Sequence, residues 1–196
     1  MSAVSTVSPV SPVDRRPSLV AVGTTVWLAS ELMFFAGLFA SYFTIRAANL
    51  ATWPGHAIKL ATLRDAGFTL VLVASSFTMQ WAVHQLGRGR RADAVRWIAA
   101  TVVLGAVFLA NQAVEWTQVP FRPSTNAYGS LFFIMTGFHG LHVLFGLLAM
   151  GGLLLRLGSA RGHDAGAEPV AEVIGYYWHF VDVVWIGLFI TLFFLR

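Results

Sequence analysis

Residues 175–195 read GYYWHFVDVVWIGLFITLFFL, an apolar run of 21 residues that holds His179 and Asp182. A membrane-spanning helix needs about 20 predominantly apolar residues, so the run is long enough to cross a bilayer. An aspartate at the centre of such a helix costs about 2.5–3.5 kcal/mol. A chain keeps one there only with a partner, a wet pocket or a function. The same conflict recurs at Glu31, His139 and His142, each inside its own hydrophobic run.

Working outward from that segment, four more runs qualify as spans. The five cover about residues 19–45, 67–86, 94–116, 128–157 and 173–195. The reading is an all-α, polytopic membrane protein, a bundle of five transmembrane helices occupying residues 18–196. Residues 1–17 (MSAVSTVSPVSPVDRRP) are Ser, Thr, Val and Pro without a usable period, which predicts a disordered tail. It is not a signal peptide, because its charges come late and the next apolar run is too long. Between spans lie Trp53-Pro54-Gly55, a turn with an interfacial anchor, the basic GRGRRAD connection, a connection stopped by Pro120 and Pro123, and a polar Gly/Ala-rich loop. Eight Lys and Arg fall on the side of the N-terminal tail and five on the other. The positive-inside rule then puts the N-terminus in the cytoplasm.

Composition agrees with a membrane solvent. The chain is 57% hydrophobic and 11% charged, against about 25% charge in soluble domains. Its net charge of +4 sits in short loops between spans, where topology explains it better than nucleic acid does. With no cysteine there is no disulfide, thiolate chemistry, iron–sulfur cluster or c-type haem attachment. No phosphate-binding loop or HExxH motif is present. Three intramembrane histidines, two on one helix, are too few for a two-haem cytochrome, and no internal repeat points to a transporter.

Helix rise of ~1.5 Å per residue puts Glu31 ~18 Å into the first span, His139 and His142 ~16 and ~21 Å into the fourth, and His179 and Asp182 ~9 and ~14 Å into the fifth. All five fall in one central slab if spans one, four and five are neighbours. Glu31 is the candidate proton-active carboxyl, with a packing carboxyl as the bland alternative, and is expected to hydrogen-bond a histidine of the fourth or fifth span. His139 and His142, three residues apart, share a face. They read as interhelical hydrogen bonders before they read as haem or metal ligands. His179 and Asp182 can bond each other, with Tyr176 joining them. Asn111 and Glu115, one turn apart near the end of the third span, read as interfacial or interhelical hydrogen bonders. No catalytic and no metal-ligating set is assigned.

Three stretches carry a resemblance. They are Ser30–Phe35 (SELMFF), Tyr128-Gly129-Ser130 with residues 136–143 (TGFHGLHV), and residues 177–185 (YWHFVDVVW). From about residue 20 onward the chain resembles subunit 3 of the haem–copper oxidases, the cytochrome c oxidase polypeptide III family, in a short five-span bacterial form. The resemblance implies an accessory, non-redox subunit of an aa3-type cytochrome c oxidase in a bacterial plasma membrane. Oxygen reduction and proton pumping belong to the whole complex. This chain would bind no redox cofactor of its own and would hold phospholipid. Haem a, haem a3 and copper would sit in partner subunits. The partners implied are oxidase subunits 1 and 2, membrane lipids and, in a respiratory supercomplex, a cytochrome bc-type complex; nucleic acid is not among them. The family's carbodiimide-reactive carboxyl falls on Glu31. Subunit 3 of a haem–copper quinol oxidase is the alternative, with Asp expected at that site.

Overall fold

The computed structural model of the protein describes residues 19–51, 53, 62–159 and 166–195. The expected tail over residues 1–17 lies outside them, as does the Pro54-Gly55 part of the first turn. Among the described residues five helices are long and apolar enough to cross a membrane: α1 (Leu19–Ala48), α2 (Thr62–Gly87), α3 (Arg91–Gln118), α4 (Ala127–Gly158) and α5 (Ala167–Phe189). A wide π-helical turn, Ile190–Phe194, continues α5. No strand occurs among the described residues. Helices α2, α3 and α5 begin three to six residues before the apolar windows at 67, 94 and 173. Their first turns are polar, and hydropathy alone does not count them.

Local signals explain the ends. Asn126 caps α4, its side-chain oxygen accepting from the Gly129 amide at 2.7 Å. Pro169 lies in the first turn of α5, where a missing N–H costs nothing. The turn from α2 to α3 needs a left-handed residue and places Gly89 there, with φ +71°. The amides of Gly89 and Arg90 then return to Leu86 O and Gln85 O at 2.9 Å each.

Helices α2 and α3 pack along one another, and α5 lies against both α2 and α4. Helix α1 leans chiefly on α4 and α5. The enclosure differs sharply: 61% of the α5 apolar window is buried within the chain, but only 11% of that of α1. Helix α5 is therefore the spine of the bundle, and α1 is nearly all outward surface.

The centre of the spine is Trp178, wholly buried. Its indole N–H donates to Ser75 Oγ at 2.9 Å. Its ring fills space left by two glycines on facing helices. A methyl added at Gly105 of α3 would lie 2.8 Å from the indole, and one at Gly146 of α4 would lie 2.7 Å from it. Trp185, about two turns further along the same face, donates to Thr69 Oγ1 of α2 at 3.0 Å. At the far end, Tyr42 of α1 donates to Thr191 O at 3.1 Å and Tyr128 of α4 to Leu192 O at 2.9 Å. These phenols bond carbonyls of the final turn, where helical amide partners run out among the described residues.

Candidate functional site

The five residues that depth alone puts in one slab separate into two groups and His139 by itself, and a third polar group lies at the end of the α2–α3 pair. The first joins α1, α4 and α5. Glu31 Oε2 and His142 Nε2 lie 3.0 Å apart, so the histidine partner expected of Glu31 is His142 of the fourth span. Trp27, one turn before Glu31, donates its indole N–H to Oε1 at 3.2 Å. His142 Nδ1 faces the Phe138 carbonyl at 2.6 Å. A carbonyl only accepts, so Nδ1 carries a hydrogen. Nε2 must then either accept a proton from a neutral Glu31 carboxyl or donate one to its carboxylate. One proton is thus held between the two side chains.

Aromatic rings fix the pair. Phe35 lies edge-on to the His142 imidazole, with centroids 5.0 Å apart. Tyr177 stacks on Trp27 at 5.0 Å and donates to the His142 carbonyl at 2.9 Å. Glu31 and His142 are 25% and 14% exposed as side chains, and they border a groove of about 430 Å³ walled by Phe145, Ala149 and Ile174. A carboxyl buried in protein on one side and open to an apolar groove on the other can exchange a proton, or hold the polar end of a lipid.

The second group lies on the opposite flank of α5, against α2. Ser76 Oγ donates to Asp182 Oδ2. His179 Nδ1 lies 2.9 Å from the same hydroxyl, and its Nε2 lies 3.1 Å from Gln80 Oε1. His179 and Asp182 therefore meet through Ser76 and not directly. Tyr176 is not part of this group. It is 61% exposed and borders a groove with Thr24 and Leu28 of α1. The inward residue is its neighbour Tyr177, because one step along a helix turns the side chain by about 100°.

The third group closes the end of the α2–α3 pair. Glu115 of α3 and Asp65 of α2, both buried, stand close enough to act on one another. Arg64 touches Asp65 at 3.4 Å and donates to Gln118. Asn111, one turn before Glu115, is half-buried. Nearby, Gln112 Nε2 donates to the Thr136 carbonyl at 2.5 Å and the Trp116 indole to Thr136 Oγ1 at 3.1 Å.

His139 belongs to none of these. It is fully buried between Phe108 of α3 (6.0 Å between centroids) and Trp185 of α5 (4.8 Å), and neither ring nitrogen has a hydrogen-bond partner among the described residues. Sharing a helix face with His142 did not make the two a pair: the 60° between them aims one at α1 and the other at the α3–α5 seam. Among the described residues no three His, Asp or Glu side chains converge as a metal site. Sequence reasoning missed Trp27, Asp65, Ser76, Gln80 and Tyr177. Only Trp27 carried a signal, lying one turn from Glu31 on the same face.

The sequence profile of the family described as Cytochrome c oxidase subunit III matches residues 17–196. The chain is 48% identical over 185 residues to the probable cytochrome c oxidase subunit 3 of Nocardia farcinica, covering 93% of this chain and 91% of that one. It is 47% identical over 187 residues to cytochrome c oxidase subunit 3 of Corynebacterium diphtheriae, with the same coverage. With the Xenopus laevis subunit 3 the identity is 35% over 177 residues, covering 87% of this chain and 67% of the longer relative.

Proposed function

We propose, on the premise that this chain belongs to the cytochrome c oxidase subunit III family, that it is the accessory third subunit of an aa3-type, proton-pumping oxidase. It is a multi-pass membrane protein of a respiratory oxidase complex. In the proposed assembly it packs on subunit 1, beside subunit 2, in a bacterial plasma membrane. Haem a, haem a3 and copper reside in those partners, and this chain holds protons, lipid and shape. A cytochrome bc-type complex is the neighbour expected if the oxidase joins a supercomplex.

The observation that supports this reading best is the Glu31–His142 pair on a helix only 11% buried within its own chain. Hydrocarbon cannot satisfy a carboxyl, so this seam calls for cover. The groove beside it has an apolar wall suited to an acyl chain and a polar edge at Glu31. A phospholipid there, sealed by subunit 1, meets both requirements.

Gentle detergent purification through a tag on this chain tests the proposal. Haem a and copper absorbance, with subunits 1 and 2 identified by mass, is the expected result. Purified chain without them would refute it. Turnover with a quinol in place of cytochrome c would move the assignment to the quinol-oxidase branch.

A further inference from the structure

The α2–α5 seam carries a polar chain that the Glu31 group does not use. It contains four side chains in series: Gln80 Oε1, His179 Nε2 and Nδ1, Ser76 Oγ, and Asp182 Oδ2. Its inner end is enclosed: Asp182 is 4% exposed, and its Oδ1 is buried without a partner among the described residues. Its outer end is open, since His179 is half-buried and Gln80 exposed. A groove of about 300 Å³ between Val73 and Phe77 runs over it.

Counting hydrogens shows what the chain can do. Gln80 Oε1 only accepts, so His179 Nε2 supplies that hydrogen. Ser76 has a single hydrogen and two polar neighbours. Two arrangements satisfy every contact. In one, His179 Nδ1–H donates to Ser76 Oγ and Ser76 donates to the Asp182 carboxylate. In the other, Ser76 donates to a bare Nδ1 and a neutral Asp182 carboxyl donates to Ser76. They interconvert when the Nδ1 hydrogen moves to Oγ while the Oγ hydrogen moves to Oδ2. Net charge is the same in both, but the first is an imidazolium–carboxylate pair bridged by Ser76 and the second holds no ion, so the shared hydrogen decides whether the seam carries separated charge.

The chain also has a way out. Ser76, Gln80 and His84 recur every four residues and so lie along one flank of α2. His84 is exposed, three residues before the helix ends at Gly87. There the Glu168 carboxylate comes so close that a methyl on Gly87 would lie 2.7 Å from its Oε1. An imidazole and a carboxylate therefore stand where the ladder reaches the helix end.

We propose that Asp182, Ser76 and His179 bind one proton in common, and that the Gln80–His84 flank of α2 is where it exchanges with water. This site lies across α5 from Glu31 and does not depend on it. The other acidic, basic and histidine side chains on the helices around it are Arg64, Asp65 and His84 on α2, Arg91, Asp93, Arg96 and Glu115 on α3, Glu31 and Arg46 on α1, His139, His142 and Arg156 on α4, and Glu168 and Glu172 on α5. None of them bonds Asp182 or His179.

Infrared titration of the intact complex containing this chain tests the site. A carboxylic-acid C=O band that responds reversibly to bulk pH and vanishes in Asp182→Asn is the expected result. Ser76→Ala should shift both its frequency and its midpoint. Gln80→Leu should leave the band in place and slow its hydrogen–deuterium exchange by about tenfold, the weight of one hydrogen bond. A spectrum in which Asp182→Asn removes no pH-dependent band overturns the proposal. So does a band indifferent to Ser76→Ala. If Asp182→Asn does not assemble, the Ser76→Ala shift decides alone. Unchanged exchange in Gln80→Leu refutes the route through α2.

Discussion

Glu31 has its hydrogen-bond capacity used from two sides, by the Trp27 indole and by His142. Glu31→Gln keeps an acceptor for Trp27 and offers an N–H to His142 Nε2. Assembly of the complex, followed by native mass measurement, should be nearly unchanged, and turnover should fall little. Glu31→Ala leaves both partners unpaired and should cost about 1–3 kcal/mol, seen as loss of this subunit from the complex at lower detergent concentration. His139 behaves in the opposite way. It is buried with neither nitrogen bonded among the described residues, and removing a polar group that makes no hydrogen bond is nearly neutral or stabilising. His139→Leu should therefore leave the thermal midpoint of the complex level or raise it. Glu31 was legible in the sequence because depth and charge mark it. The division between His139 and His142 was not, because two residues three apart look alike until the neighbours of each are known.

Among helices, the decisive contact is the grip of α3 and α4 on the α5 indole. Gly146→Ala would place a methyl 2.7 Å from Trp178, in a helix packed against its neighbour. Overpacking of this kind costs about 1–3 kcal/mol. A lower thermal midpoint, with normal subunit composition below the transition, is the expected outcome. Gly152, on the same helix with open space around its missing Cβ, should tolerate the same change at the price of nothing measurable in assembly. The existence of the five helices was readable because length and apolarity suffice for a span. Their rotation was not. In water a core-facing stripe is more apolar than its opposite, but lipid is as apolar as a core. Tyr176 and Tyr177 show the result: nothing in composition says which of two adjacent tyrosines turns inward, and only the α1 and α4 partners of Tyr177 decide it.

At the scale of the molecule, α1 is attached by the Glu31–His142 pair, the Tyr42 hydrogen bond to Thr191 O and a few rings on the α4–α5 side, with most of its surface facing outward. The isolated chain in detergent should therefore melt at a lower temperature and less cooperatively than the same chain in its complex. Circular dichroism of the two preparations measures the difference. Equal midpoints would mean that the bundle needs no partner. The family resemblance reached this level directly, since SELMFF, TGFHGLHV and YWHFVDVVW lie on the three helices that meet around Glu31. It gave no hint of Ser76 and Gln80, which lie on α2, outside all three motifs.

The wide turn at Ile190–Phe194 also settles how the chain's last aromatics are shared out. Winding one residue broader than an α-helix, it sends Phe193 inward, 3% exposed, and Phe194 outward, 63% exposed. Deleting a single residue there would swing the inward ring toward hydrocarbon and carry the two tyrosine-bound carbonyls out of register. The bundle thus tolerates loose edges along α1, but its closing turn has no spare phase.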